Sequence, residues 1–208
     1  GGTIDEKKQG QWIDGIQRRI TAVTKSLRGF DVDVQPGERW AINYETKPPV
    51  ITYPEHEITE KVKLGKENLE EQILGLAIHE GSHRDISRPD AFFFEKESRR
   101  ALLNAVEDPR VNNWSLMKFE GSRKFLDPLY DDIFPKDMKK KFKDSEVLPH
   151  IQYNLGIIHY WRHNEIMPAI SNPRVIMALE STKDDFMAAY NKISGVTKFY
   201  FRKDGKIT

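Results

Sequence analysis

Asn68-Leu69-Glu70-Glu71-Gln72-Ile73-Leu74-Gly75-Leu76-Ala77-Ile78-His79-Glu80-Gly81-Ser82-His83 is the stretch that decides how this chain is read. Asn68 suits the cap of a helix, and Leu69, Ile73, Leu76 and Ala77 then form one apolar stripe at about 100° per residue. Continuing the rotation puts Glu80 in the middle of that stripe, His83 on its flank and His79 somewhat further round. Residues four apart share a helix face, so both imidazoles can reach one metal ion. A carboxylate on an apolar face is costly unless something compensates it, and a divalent cation with its water would do so. Gly75, one turn before His79, leaves room above the first imidazole at some cost in helix stability. The blander reading is a buried histidine pair satisfied by carbonyls, with Glu80 at the protein edge.

His79-Glu80-Gly81-Ser82-His83 has the H-E-x-x-H spacing, whose chemistry is zinc-assisted hydrolysis: two imidazoles hold the ion and the glutamate takes a proton from the attacking water. A third protein ligand is required, since catalytic zinc usually keeps three and leaves one position open. Pro89 ends the first helix near Ser87-Arg88. A second helix is expected from Ala91 to Glu107, with Asp90, Glu95, Glu97 and Glu107 as acidic candidates. Glu107 shares a face with Arg100, Leu103, Asn104 and Val111. Glu97 lies about 80° round among Lys96, Arg99 and Arg100, which suits a solvated surface. Helix geometry favours Glu107.

H-E-x-x-H followed by a glutamate on the next helix resembles the gluzincin clan of zinc metallopeptidases. The resemblance implies Zn2+ held by His79, His83 and Glu107, with Glu80 as general base and acid. Leu102-Leu103-Asn104-Ala105-Val106-Glu107-Asp108-Pro109-Arg110-Val111-Asn112 also resembles a segment of bacterial proteins built around von Willebrand A domains, including cobaltochelatase-type subunits. Together the two likenesses cover roughly residues 68–114. Pro109 departs from a plain helix: it either kinks the second helix or starts a new one with Asp108 as its cap.

The chain has 208 residues with 33 Lys and Arg against 32 Asp and Glu, so no net field favours nucleic acid or an anionic membrane. No apolar run is long enough to span a bilayer and no signal-peptide pattern opens the chain, so the cytoplasm is expected. Without cysteine there are no disulfides and no thiolate ligands. Gly1-Gly2-Thr3 reads as a tag remnant or a trimmed start, which leaves room for a native targeting segment, a flanking domain or a partner protein outside this sequence.

The expected fold is α+β, mainly helical and zincin-like, with an N-terminal lobe over 1–114 and a helical C-terminal lobe over 115–208, together one catalytic domain. A helix runs from Gln11 to Leu27 and Gly29 closes it. Phe30–Val34, Trp40–Tyr44 and Val50–Tyr53 have strand character, separated by Pro36-Gly37 and Lys47-Pro48-Pro49 as turns. A peptide or protein substrate can pair its backbone with a free strand edge, offered either by Trp40–Tyr44 or by Val50–Tyr53. Lys118–Asp144 reads as a solvated surface segment, because Asp131, Asp132, Asp137 and Asp144 interrupt its basic run and argue against nucleic-acid binding. Ser171-Asn172-Pro173 caps a last helix carrying Val175, Leu179, Phe186 and Tyr190, and Val196–Phe201 is a strand or the approach to a further domain.

Charge on the attacked carbonyl oxygen needs a donor beside the metal. His159, Tyr160, Tyr153, His163 and Tyr130 are candidates, with His159 and Tyr160 favoured. The pair His159 and His163 also stands at i and i+4, but it lacks the adjacent glutamate. Two other classes stay open: a zinc-binding scaffold or assembly module of a von Willebrand A-type system, and a metal-free helical domain.

Overall fold

The computed structural model describes residues 6–28, 31–43, 45–63, 68–87, 96–133, 142 and 147–193. It is mainly helical with one small sheet, as expected from the sequence. In order come α1 (Glu6–Arg28), β1 (Asp33–Gly37), β2 (Ala41–Asn43), β3 (Val50–Pro54), α2 (Glu55–Lys63) and α3 (Leu69–Ile86). After these come α4 (Glu97–Lys118), a 3-10 turn (Glu120–Ser122), α5 (Arg123–Ile133), α6 (Pro149–His163) and α7 (Pro173–Asn191). The chain forms two compact units, one of Gly1–Asp85 with Lys118–Leu129 and one of Ile86–Met117 with Tyr130–Thr208. Their division falls inside the expected N-terminal lobe of 1–114, because Ala105 of α4 packs in the same apolar cluster as residues of α6 and α7.

In the first unit, Ile16 and Ile20 of α1 pack with Tyr53 of β3, Ile58 and Val62 of α2, and Ile73 of α3. Burying each such side chain contributes about 1.5–3 kcal/mol before chain entropy is counted. The sheet order is β1-β3-β2, with β1 parallel and β2 antiparallel to β3. β3 is therefore the central strand, and Val50–Pro54 offers no free edge. β1 starts later than the sequence suggests and includes Pro36 and Gly37, opposite Tyr53 and Pro54. Pro36 is tolerated because β1 is an edge strand, where a missing ladder donor costs little.

Two helices depart from the sequence reading. α2 follows β3 directly and buries Ile58 and Val62, four apart. The expected solvated segment from Lys118 contains α5, whose Leu126, Leu129 and Tyr130 are buried at i, i+3 and i+4. Those three apolar positions satisfy the helical period, and the surrounding charges hid them. Residues 134–141 and 143–146, like Val196–Phe201, lie outside the described residues.

In the second unit, α6 and α7 pack closely enough that a Cβ on Gly156 would come within 2.6 Å of Leu179 Cδ1. Asn172 caps α7 by accepting from the Arg174 amide at 3.0 Å, and Pro173 fills the first helical position. Val175, Leu179, Phe186 and Tyr190 are all buried, as their spacing predicts.

α3 is the core helix of the first unit. It starts at Asn68, whose carbonyl accepts from the Gln72 amide at 3.0 Å while its own φ is 57°. The sequence stripe understates its burial: Gln72, Ile78 and Ser82 are buried as well as Ile73 and Ala77. A helix enclosed on most of its faces carries no sharp polar side. Gly75 faces the α5 backbone, where an added Cβ would sit 2.3 Å from the Phe125 carbonyl oxygen. The room it leaves is taken by another helix. Gly75→Ala is expected to destabilise the fold by about 1–3 kcal/mol, since backbone cannot rotate aside as a side chain can. Urea unfolding measures this, and an unchanged midpoint would mean that α3 and α5 separate freely.

Candidate metal centre

α3 continues through the motif without a break, and its helical period stacks His79 over His83. The rings meet edge to face at 88°, and the two Nε2 atoms are 3.1 Å apart. Two nitrogens on one tetrahedral zinc at ordinary bond lengths stand roughly 3.3 Å apart. The pair is already at ligand spacing. His79 is buried and His83 half-buried. Between them, the buried Ser82 hydroxyl donates to the Ile78 carbonyl at 2.6 Å. Glu80 is half-buried and makes no hydrogen bond or ion pair with a described residue.

His79, His83 and Asp108 each offer one ligand atom, and the three atoms lie within 4.8 Å of one another. This group can hold a metal ion. Its oxygen and nitrogen donors suit zinc, and they suit other divalent metals as well.

Glu107, the expected third ligand, is one residue away on α4 and is differently engaged. Arg110 Nε donates to Glu107 Oε2 at 2.7 Å and Arg110 Nη2 to Oε1 at 2.6 Å. The Ser87 hydroxyl donates to Oε1 at 2.5 Å, and Arg110 Nη2 also donates to the Ile86 carbonyl at 2.8 Å. Glu107 is 5% exposed and Arg110 3%. Neighbouring residues on a helix point about 100° apart, so Glu107 and Asp108 face different surroundings. Pro109 neither ends α4 nor begins a new helix: α4 runs unbroken from Glu97 to Lys118 with Pro109 buried inside it.

The expected oxyanion donors are placed in the second unit. His159 is buried near the end of α6, with Nδ1 3.2 Å from the Glu165 carbonyl and its ring against His163. Burial pushes its pKa down, which the Glu165 carbonyl opposes in part. Tyr160 packs edge to face on Phe186. The Tyr130 hydroxyl accepts from Asn112 at 2.6 Å, and the Tyr153 hydroxyl pairs with Thr182 at 2.7 Å. None of these residues belongs to the group of His79, His83 and Asp108.

Asp108 is the residue that sequence reasoning missed. One signal was available: Glu107 has an arginine three residues on, the spacing of a helical ion pair, whereas Asp108 has Asn104, Ala105, Val111 and Asn112 at its helical neighbours.

Arg110→Met should cost about 3–5 kcal/mol, because it leaves the Glu107 carboxylate buried without its cation. Glu107→Leu added to it should recover part of that loss, since no buried charge then remains. Denaturant titration of both variants decides this, and a single variant as stable as wild type would show that Glu107 reaches water. No protein-family model, curated protein or solved structure matches the chain.

Proposed function

We propose that the chain is a zinc-dependent peptidase, with the metal held by His79, His83 and Asp108 and with Glu80 as the general base. One observation carries this reading: two imidazole nitrogens stand at ligand spacing beside a half-buried carboxylate that bonds to no described residue. Glu80 is partly exposed, so water reaches its carboxylate, as a general base requires. Bound zinc supplies Lewis acidity for the carbonyl and for the water that attacks it.

Glu80 then takes the proton of the attacking water and returns it to the leaving amine, a role that needs a carboxylate not already held by an arginine. Glu107 is held by one and serves instead to fix its stretch of α4. β2 is an edge strand, paired among the described residues with β3 alone, and its outer side offers main-chain groups to an extended substrate.

The protein should bind about one zinc per chain and lose it in acid, because imidazole coordinates only when neutral. Glu80→Gln should keep zinc and fold while slowing peptide hydrolysis by roughly 10²–10⁴-fold. Cleavage at the wild-type rate by that variant removes Glu80 from the mechanism. Zinc uptake with no hydrolysis by the wild type identifies a binding scaffold instead.

Chelator competition separates the two acids of α4. Asp108→Ala should weaken zinc binding by about 100-fold or more, and Glu107→Gln by far less, because the Glu107 carboxylate is turned to Arg110 and Ser87. The reverse order would make Glu107 the ligand and require it to leave Arg110.

A further inference from the structure

Within the second unit, α4 and α6 enclose a groove of about 550 Å³, with Glu97 and Ala101 on one wall and Ile151, Asn154 and Leu155 on the other. The described residues expose five large apolar side chains: Leu102, Leu148, Ile151, Met117 and Met177. Ile151 lines the groove, Leu102 follows the lining residue Ala101, and Leu148 lies two residues before the lining residue His150. Scattered apolar exposure needs no explanation, but an exposed isoleucine in a concave groove also lined by Ala101 and Leu155 offers an apolar side chain a seat. At its end Glu97 is exposed and makes no ion pair or hydrogen bond with a described residue.

The groove is in phase with Asp108. At about 100° per residue, Glu97, Ala101, Asn104 and Asp108 fall along one strip of α4. The first three are exposed and Asp108 is half-buried, so the strip is accessible along its length. At 1.5 Å per residue, Ala101 lies roughly 10 Å and Glu97 roughly 16 Å from Asp108 along the helix. An extended peptide advances about 3.3 Å per residue, so these distances correspond to roughly three and five residues. The 6 Å between Glu97 and Ala101 matches roughly two residues of extended chain, and residues two apart point to the same side.

We infer that this groove binds an extended peptide carrying a bulky apolar side chain and, two residues from it, a lysine or arginine. The apolar side chain seats against Ala101, Ile151 and Leu155, and the cation meets Glu97. The inference rests on the peptidase reading for its purpose: the groove would hold the substrate with the apolar residue about three positions from the bond that is cut. Peptide binding by the groove itself does not require that reading.

The test uses the full chain with Glu80→Gln, to prevent turnover, and fluorescein-labelled ten-residue Gly/Ser peptides containing Arg-Ser-Leu or Leu-Ser-Arg. Fluorescence anisotropy should show saturable binding of at least one of them and none of a Gly/Ser control. Ala101→Lys, an exposed position that tolerates the longer side chain, should weaken binding at least tenfold. Glu97→Gln should weaken it severalfold for the arginine peptides and leave their alanine-for-arginine counterparts unchanged. No saturable binding at millimolar peptide overturns the inference, as does binding indifferent to both substitutions. Incubating the same peptides with wild-type protein tests the other reading separately. Groove-dependent binding without cleavage supports the groove and counts against the peptidase; cleavage indifferent to Ala101→Lys and Glu97→Gln counts against the groove alone.

Discussion

The ion pair between Glu107 and Arg110 is the constraint on which the arrangement of α4 depends. Two opposite charges this deeply buried are poor sources of stability, because removing both from water costs about what their attraction returns. Their value is geometric. Arg110 holds both carboxylate oxygens of Glu107 and still donates to the Ile86 carbonyl, while Ser87 bonds the same carboxylate. Ile86 is the last residue of α3, three past His83, and its carbonyl is one that a helix end leaves without an internal partner. The guanidinium satisfies it. Pro109, which removes a donor inside α4, sits between the two charged residues. The charge-assisted bonds on either side keep that turn in place where the backbone alone is weakened.

Much of the fold was legible in the sequence. α1 and α7 declare themselves through apolar residues at helical spacing, and α7 adds a cap and a first-position proline that the structure uses as read. What escaped was short or locally ambiguous. Ile58 and Val62 are too few to announce α2 against five charged neighbours, and α5 hides Leu126, Leu129 and Tyr130 in a run dominated by charge. Composition averaged over such a window describes the solvent face, whereas the fold responds to the few positions on the other side. β1 failed in a different way: Pro36-Gly37 reads as a turn in isolation, and only the edge position of the strand lets it extend there.

The candidate site shows the same division between what is local and what is not. His79 and His83 lie on one helix turn, so sequence spacing alone fixes their relation. The third candidate ligand, Asp108, lies on another helix. There, face arithmetic on α4 pointed to Glu107 because it shares a face with Leu103 and Val111. That inference about burial holds, since Glu107 is buried. What it omitted is that a buried carboxylate takes the nearest suitable cation, and Arg110 lies three residues away on the same helix. Apolar company identifies an acid that needs a positive partner; it does not say whether that partner is a metal or an arginine.

The contrast between Glu107 and Glu80 completes this reasoning. Glu107 accepts two hydrogen bonds from Arg110 and one from Ser87. Glu80 sits in the most enclosed helix of the first unit yet bonds to no described residue. On the same helix the buried Ser82 hydroxyl bonds back to Ile78, while Glu71, half-buried like Glu80, also bonds to no described residue. What distinguishes Glu80 is its place beside the imidazole pair, where, on the proposed reading, its carboxylate exchanges a proton with a bound water.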